Sequence, residues 1–139
     1  MAAASSVDWE RWAARYARVA LAAAFLSAVA GRFGLWRGHL DWSAFGRFIT
    51  RTSELNAFMP PFAMPFLAWG ATITETTLAI SLLAGFRLRW VALGSAALLA
   101  WFGTAMAFAD GPKAPLDYSV FSASAAALLL FLQQRHNPS

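Results

Sequence analysis

Apolar residues fall along this chain in four long stretches broken by short polar segments, at about 16–36, 62–84, 90–108 and 118–132. A membrane-crossing helix needs about 20 mostly apolar residues, so each stretch is read as one crossing. The first is bracketed by Arg18 and Arg32, whose long stems can carry their charges toward the headgroups. Pro60, Pro61 and Pro65 open the second, where spare amides make proline harmless. The turn Gly85-Phe86-Arg87-Leu88-Arg89 makes a hairpin of the second and third, and Asp110-Gly111-Pro112 closes the third. Pro115 introduces the fourth, with Asp117 placed to cap its amides.

The segment between the first two crossings is too long for a turn and has its own period. Phe45, Phe48, Ile49 and Thr52 recur at i, i+3, i+4 and i+7, with Arg47, Arg51 and Glu54 opposite and Asp41 as a cap. This predicts an amphipathic helix at about 41–58, serving either as a membrane-surface anchor or as a lid over the bundle. The predicted fold is all-α. It is a single domain over 1–139, an integral membrane four-helix bundle with one amphipathic interfacial helix in the first extracytoplasmic loop.

Composition agrees with that pattern. Of 139 residues 59% are hydrophobic and 13% charged, against about 45–50% apolar and roughly 25% charged in soluble domains; mean hydropathy is +0.51. The formal charge of +4 is dispersed, without the run of like charges that a nucleic-acid-binding arm would show. No nucleic acid is expected as a partner. The absence of cysteine excludes disulfides, iron–sulfur clusters and thiolate zinc sites within the chain. Arg11, Arg15 and Arg18 ahead of an apolar run that reaches Ala28-Val29-Ala30 have the order of a secretory signal, but the segment is expected to remain as the first crossing.

Four crossings put both termini on one side. Arg11, Arg15, Arg18, Arg87, Arg89 and Arg135 fall on that side, and Arg32, Arg37, Arg47, Arg51 and Lys113 on the other. The density of charge in the short Arg87–Arg89 turn assigns the termini to the cytoplasm. Small residues spaced by four, Ala23, Ser27 and Gly31 in the first crossing and Ala92, Ala96 and Ala100 in the third, are expected to form the helix contacts, as is the run 122–127. The tryptophans are expected at the interfaces or facing lipid.

Glu75 is the most informative residue, since a carboxylate within a crossing costs about 2.5–3.5 kcal/mol to insert. It must face the interior with a partner or stay protonated. Thr72, Glu75 and Thr76 share one helical face, and Arg32 is the natural counterion at the same level. Asp117 and Tyr118 begin the fourth crossing nearby, so Glu75, Arg32, Asp117, Tyr118, Thr72 and Thr76 are the candidates for a polar pocket. An ion pair that only fixes helix register is the competing reading. The two histidines, His39 and His136, lie in a loop and a tail, so no haem, iron–sulfur or zinc ligand set is present. No complete catalytic constellation is visible.

Several of these segments resemble the DoxX family of small bacterial membrane proteins. The resemblance is carried by the stretch from Ser27 to Trp36, by Thr74-Glu75-Thr76 followed by the Gly85-Phe86-Arg87-Leu88-Arg89 turn, and by Lys113-Ala114-Pro115-Leu116-Asp117-Tyr118-Ser119. It implies a four-helix protein of the inner membrane found beside redox systems, including a subunit of a thiosulfate:quinone oxidoreductase and complexes dealing with thiol stress. A related branch uses cysteines, which this chain lacks. The expected function is a membrane subunit or anchor of a quinone-linked or sulfur/thiol redox complex, without self-contained catalysis. Its expected partners are the lipid bilayer and a membrane or redox protein or a second copy of the chain, with quinone or lipid as the small molecule. The alternatives are a small proton-linked carrier or lipid- or quinone-binding protein working through Glu75, and an enzyme using Glu75 and Tyr118 as proton donors.

Overall fold

The computed structural model describes residues 2–136; residue 1 and residues 137–139 lie outside it. All regular structure among the described residues is helical. The elements are α1 (Ala2–Arg32), α2 (Trp42–Leu55), α3 (Met64–Ala84), α4 (Leu88–Asp110), α5 (Lys113–Asp117) and α6 (Val120–His136), with single 3₁₀ turns at Leu35–Arg37 and Pro61–Ala63. Three stretches, Asp8–Arg32, Pro61–Ala84 and Leu88–Asp110, are long and apolar enough to cross a membrane, and Val120–Gln134 is a shorter apolar helix.

The element boundaries differ from the hydropathy pattern at both ends of the chain. Helix α1 begins far ahead of 16, because hydropathy marks where a helix fits lipid and not where it starts. Alanine-rich sequence continues the helix through the charged first turns, where Trp9, Trp12 and Tyr16 stand exposed. It ends at Arg32 and not at 36, because Gly34 turns the backbone to φ +75. A Cβ there would lie 2.8 Å from Asp41 Cβ, so only glycine lets the chain double back and bring the Asp41 amide to Phe33 O at 2.7 Å. The stretch at 118–132 is likewise interrupted. Ser119 adopts φ 57 and separates α5 from α6.

Helix α1 packs on α3 and α4 on α6, and the pairs join through α3–α4 and α1–α6. The shared core is Leu21, Ala22, Phe25, Ala79, Leu82, Leu88, Ala92, Ala96, Ala127 and Leu130. The expected small-residue contacts form where α4 meets α6. There Ala92 and Ala96 are buried, and Ser124 Oγ donates to Ala96 O at 2.7 Å. The expectation fails in α1, whose Ala23, Ser27 and Gly31 are exposed. The inward face of α1 is Leu21, Ala22, Phe25 and Arg32 instead, which share one side at helical spacing. Once Arg32 must point at α3, the small stripe is turned out.

Arg18 closes the opposite end of the α1–α3 pair. Its Nε donates to Leu82 O at 2.8 Å and its Nη2 to Leu83 O at 3.2 Å, satisfying carbonyls that the end of α3 leaves open. Gly85 (φ +76) makes room, since a Cβ there would stand 2.9 Å from Arg18 Nη2. Arg18→Ala is expected to destabilise the fold by about 1–2 kcal/mol and to speed amide exchange at the α3–α4 turn. An unchanged thermal midpoint in detergent would count against this cap.

Candidate functional site

The site begins with two charges that the sequence places in apolar helices. Arg32 is the last residue of α1 and Glu75 lies midway along α3. They are 9% and 2% exposed. Arg32 Nη1 stands 2.5 Å from Glu75 Oε2 and donates to Thr72 Oγ1 at 3.1 Å. The Thr72 hydroxyl passes its own proton to Ala68 O at 2.8 Å. Glu75 Oε2 has no further protein partner among the described residues, so Arg32 alone answers its charge. A buried ion pair so incompletely bonded offsets only part of its desolvation, and it ties two helices together more than it stabilises them.

Helix α2 roofs this pair. Asp41 caps it by accepting from Ser43 N at 2.9 Å. Hydrogen bonds from the Ser43 hydroxyl and then the Ser43 amide, with Arg47 after them, hold the Asp41 carboxyl below the ordinary carboxylate range. The Phe48 ring lies over the guanidinium, 4.0 Å from Arg32 Cζ to its centroid, a cation–π contact that replaces water on that face. Phe45 continues the roof, stacked on Phe33 at 5.2 Å and against Trp69 at 4.5 Å. At the far side Arg51 grips both oxygens of Asp110 at the end of α4 and also reaches Glu54 at 3.1 Å. The lid is therefore held from two sides.

Of the six candidate residues the structure gathers three, Arg32, Thr72 and Glu75. Thr76 is half-buried, and its hydroxyl is taken by Thr72 O in the preceding turn at 2.8 Å. Asp117 does not cap α6. It ends α5, exposed and paired with Lys113, because the break at Ser119 separates it from the amides it was expected to meet. Tyr118 is 75% exposed and is not among the contacts of the pair. Sequence reasoning missed Phe48 as the partner of Arg32, although its place on the apolar face of α2 was visible, and it missed the Arg51–Asp110 latch, which has no local sequence signal.

Arg32, Arg37, Arg47 and Arg51 line an outer cleft of about 440 Å³. Glu75, Asp41 and Asp110 with Glu54 answer three of those four cations, so it is no strong anion trap. The described residues contain no group of three or more His, Asp or Glu side chains able to hold a metal. Comparison with known proteins returns no matching family model, no matching curated protein and no matching solved structure.

Removing one member of the pair strands the other. Arg32→Met and Glu75→Met are each expected to cost about 3–5 kcal/mol, while the double variant costs less than their sum and comes close to the wild type. Unfolding in detergent measures this, and additive losses would show that the two side chains do not depend on one another.

Proposed function

We propose that this chain is a multi-pass protein of a bacterial inner membrane. In this reading α1, α3, α4 and the shorter α6 cross the bilayer and both termini face the cytoplasm. It serves as a membrane subunit or anchor of a quinone-linked or sulfur/thiol redox complex. The observation that carries the membrane reading is the distribution of polarity. Ile73, Ile80, Leu83, Trp101 and Leu129 stand exposed on the outside of the bundle, while the ion pair inside it is buried. Helix α6 is about 25 Å long at 1.5 Å per residue, short for a hydrocarbon core of about 30 Å.

The subunit role rests on the DoxX-like motifs, Thr74-Glu75-Thr76 and the Gly-x-Arg-x-Arg turn foremost among them. Their neighbourhood is compatible with it, since Glu75 pins α1 to α3 beneath a latched lid and leaves the outer faces free for a partner chain. The cysteine-free sequence makes the test simple. Single cysteines at Phe86 and Phe58 are expected to react with an impermeant maleimide from opposite faces, Phe86→Cys from the cytoplasm. The tagged chain at native expression is expected to copurify with a flavin- or haem-bearing protein. Same-sided labelling overturns the topology, and a monodisperse chain without partner overturns the subunit role.

A second reading, a small proton-linked carrier, is favoured by one observation, the buried Glu75 Oε2 that among the described residues has no protein partner besides Arg32. Intramembrane acids serve as relays. Under this reading Glu75→Gln abolishes proton-coupled uptake in vesicles while the fold persists; uptake that survives the substitution removes it.

A further inference from the structure

Between α2, α3 and α4 the structure leaves a cleft of about 260 Å³, walled by Phe48, Leu55, Phe66, Leu98, Trp101 and Phe102. It runs on past Asn56 into a groove along α4 that ends at Phe108. No charged residue lines either part. The arginines of the outer face lie across Phe48 in a different cleft. With no charge in its own lining, this cleft suits a neutral group.

Two residues make the cleft more than a gap between helices. Gly70 lies inside α3, where glycine weakens a helix relative to alanine. Close packing does not account for it, because a Cβ at Gly70 would meet no atom within 4 Å. What the glycine leaves is open volume in the cleft wall. Asn56 is 8% exposed and lines both parts of the cleft. Its Nδ2 donates to Thr52 O at 3.1 Å, and among the described residues its second N–H and its Oδ1 have no protein partner. Glu75 Oε2 is the one fully buried side-chain oxygen or nitrogen without a hydrogen-bond partner among the described residues, so the unpartnered Oδ1 of Asn56 is reachable, and the cleft that Asn56 lines is its way in. The Thr74 hydroxyl also lines it.

We propose that the cleft binds one diacylglycerol-type neutral lipid, which carries both a hydroxyl and an ester carbonyl. Its hydroxyl or carbonyl oxygen is hydrogen-bonded to Asn56, and its chain lies between α3 and α4 past Gly70 and Trp101. This site rests on the membrane reading above. A neutral head matches the uncharged lining, the amide offers one donor and one acceptor, and the wall of aromatic and aliphatic side chains suits a hydrocarbon tail.

The test uses the full chain in phosphatidylcholine nanodiscs, photolabelled with a diazirine-bearing diacylglycerol. Saturable labelling is expected on the peptides covering 66–74 and 98–105. It should fall about fivefold or more in Asn56→Leu, which removes both bonding groups, and as far in Gly70→Leu, which fills the open volume without disturbing a packed neighbour. Gly70→Leu keeps the test decisive if Asn56→Leu loosens the end of α2. Excess dioleoylglycerol is expected to displace the label, and displacement by a long-chain p-benzoquinone in its place overturns the assignment. Displacement by neither overturns the proposal, as does labelling that is unsaturable, unmoved by Gly70→Leu, or matched by a diazirine-bearing phosphatidic acid. Failure of the membrane reading shows separately, as a chain that alkaline carbonate extracts from membranes, and it removes the site with it.

Discussion

A charge inside an apolar helix bundle must be answered by another charge, and in this chain one such pair sets the rest. Glu75 sits midway along α3 with almost no exposure, and Arg32 at the end of α1 lies 2.5 Å from it. Because Arg32 must face α3, the rotation of α1 about its axis is fixed. Leu21, Ala22 and Phe25 then enter the core, and Ala23, Ser27 and Gly31 are turned to the surface. Close packing of small residues, the usual source of contact between helices in lipid, governs α4 against α6. Between α1 and α3 it yields to electrostatics.

The pair also explains the lid. A guanidinium held out of water gains from an aromatic face, and Phe48 supplies it. The aromatic cluster of Phe33, Phe45 and Trp69 extends that cover, while Arg51 and Asp110 fasten α2 to the end of α4. The bundle is thus divided along its length. One half is a core of leucine, alanine and phenylalanine closed by Arg18, and the other is a buried polar pair under an aromatic roof. The cleft at Asn56 and Gly70 opens on the flank of that second half, beside the charges but not connected to them.

Much of this was legible in the sequence because the physics behind it is local. Hydropathy marked the apolar segments, the period at Phe45, Phe48, Ile49 and Thr52 marked α2, and the cost of an isolated carboxylate pointed from Glu75 to Arg32. What escaped reading depends on backbone breaks or distant partners. Nothing in Tyr118-Ser119-Val120 announces a left-handed turn at Ser119, yet that single residue removes Asp117 and Tyr118 from the site. The helical stretch before Tyr16 was hidden because its charges lower hydropathy without opposing helix formation. Arg51 looked like a solvent-facing charge, and its partner Asp110 lies 59 residues away.

The central claim is that Arg32 and Glu75 form a charged pair inside the bundle. Solid-state NMR on the chain reconstituted in bilayers tests it most directly, through the dipolar coupling between labelled arginine guanidinium nitrogens and labelled glutamate carboxyl carbons. The background carries Glu10→Gln and Glu54→Gln, which leaves Glu75 as the one glutamate carboxyl in the chain. The structure predicts strong dephasing that disappears in Arg32→Met. A Glu75 carboxyl signal with no coupling to any guanidinium would contradict the pair and the helix arrangement built on it.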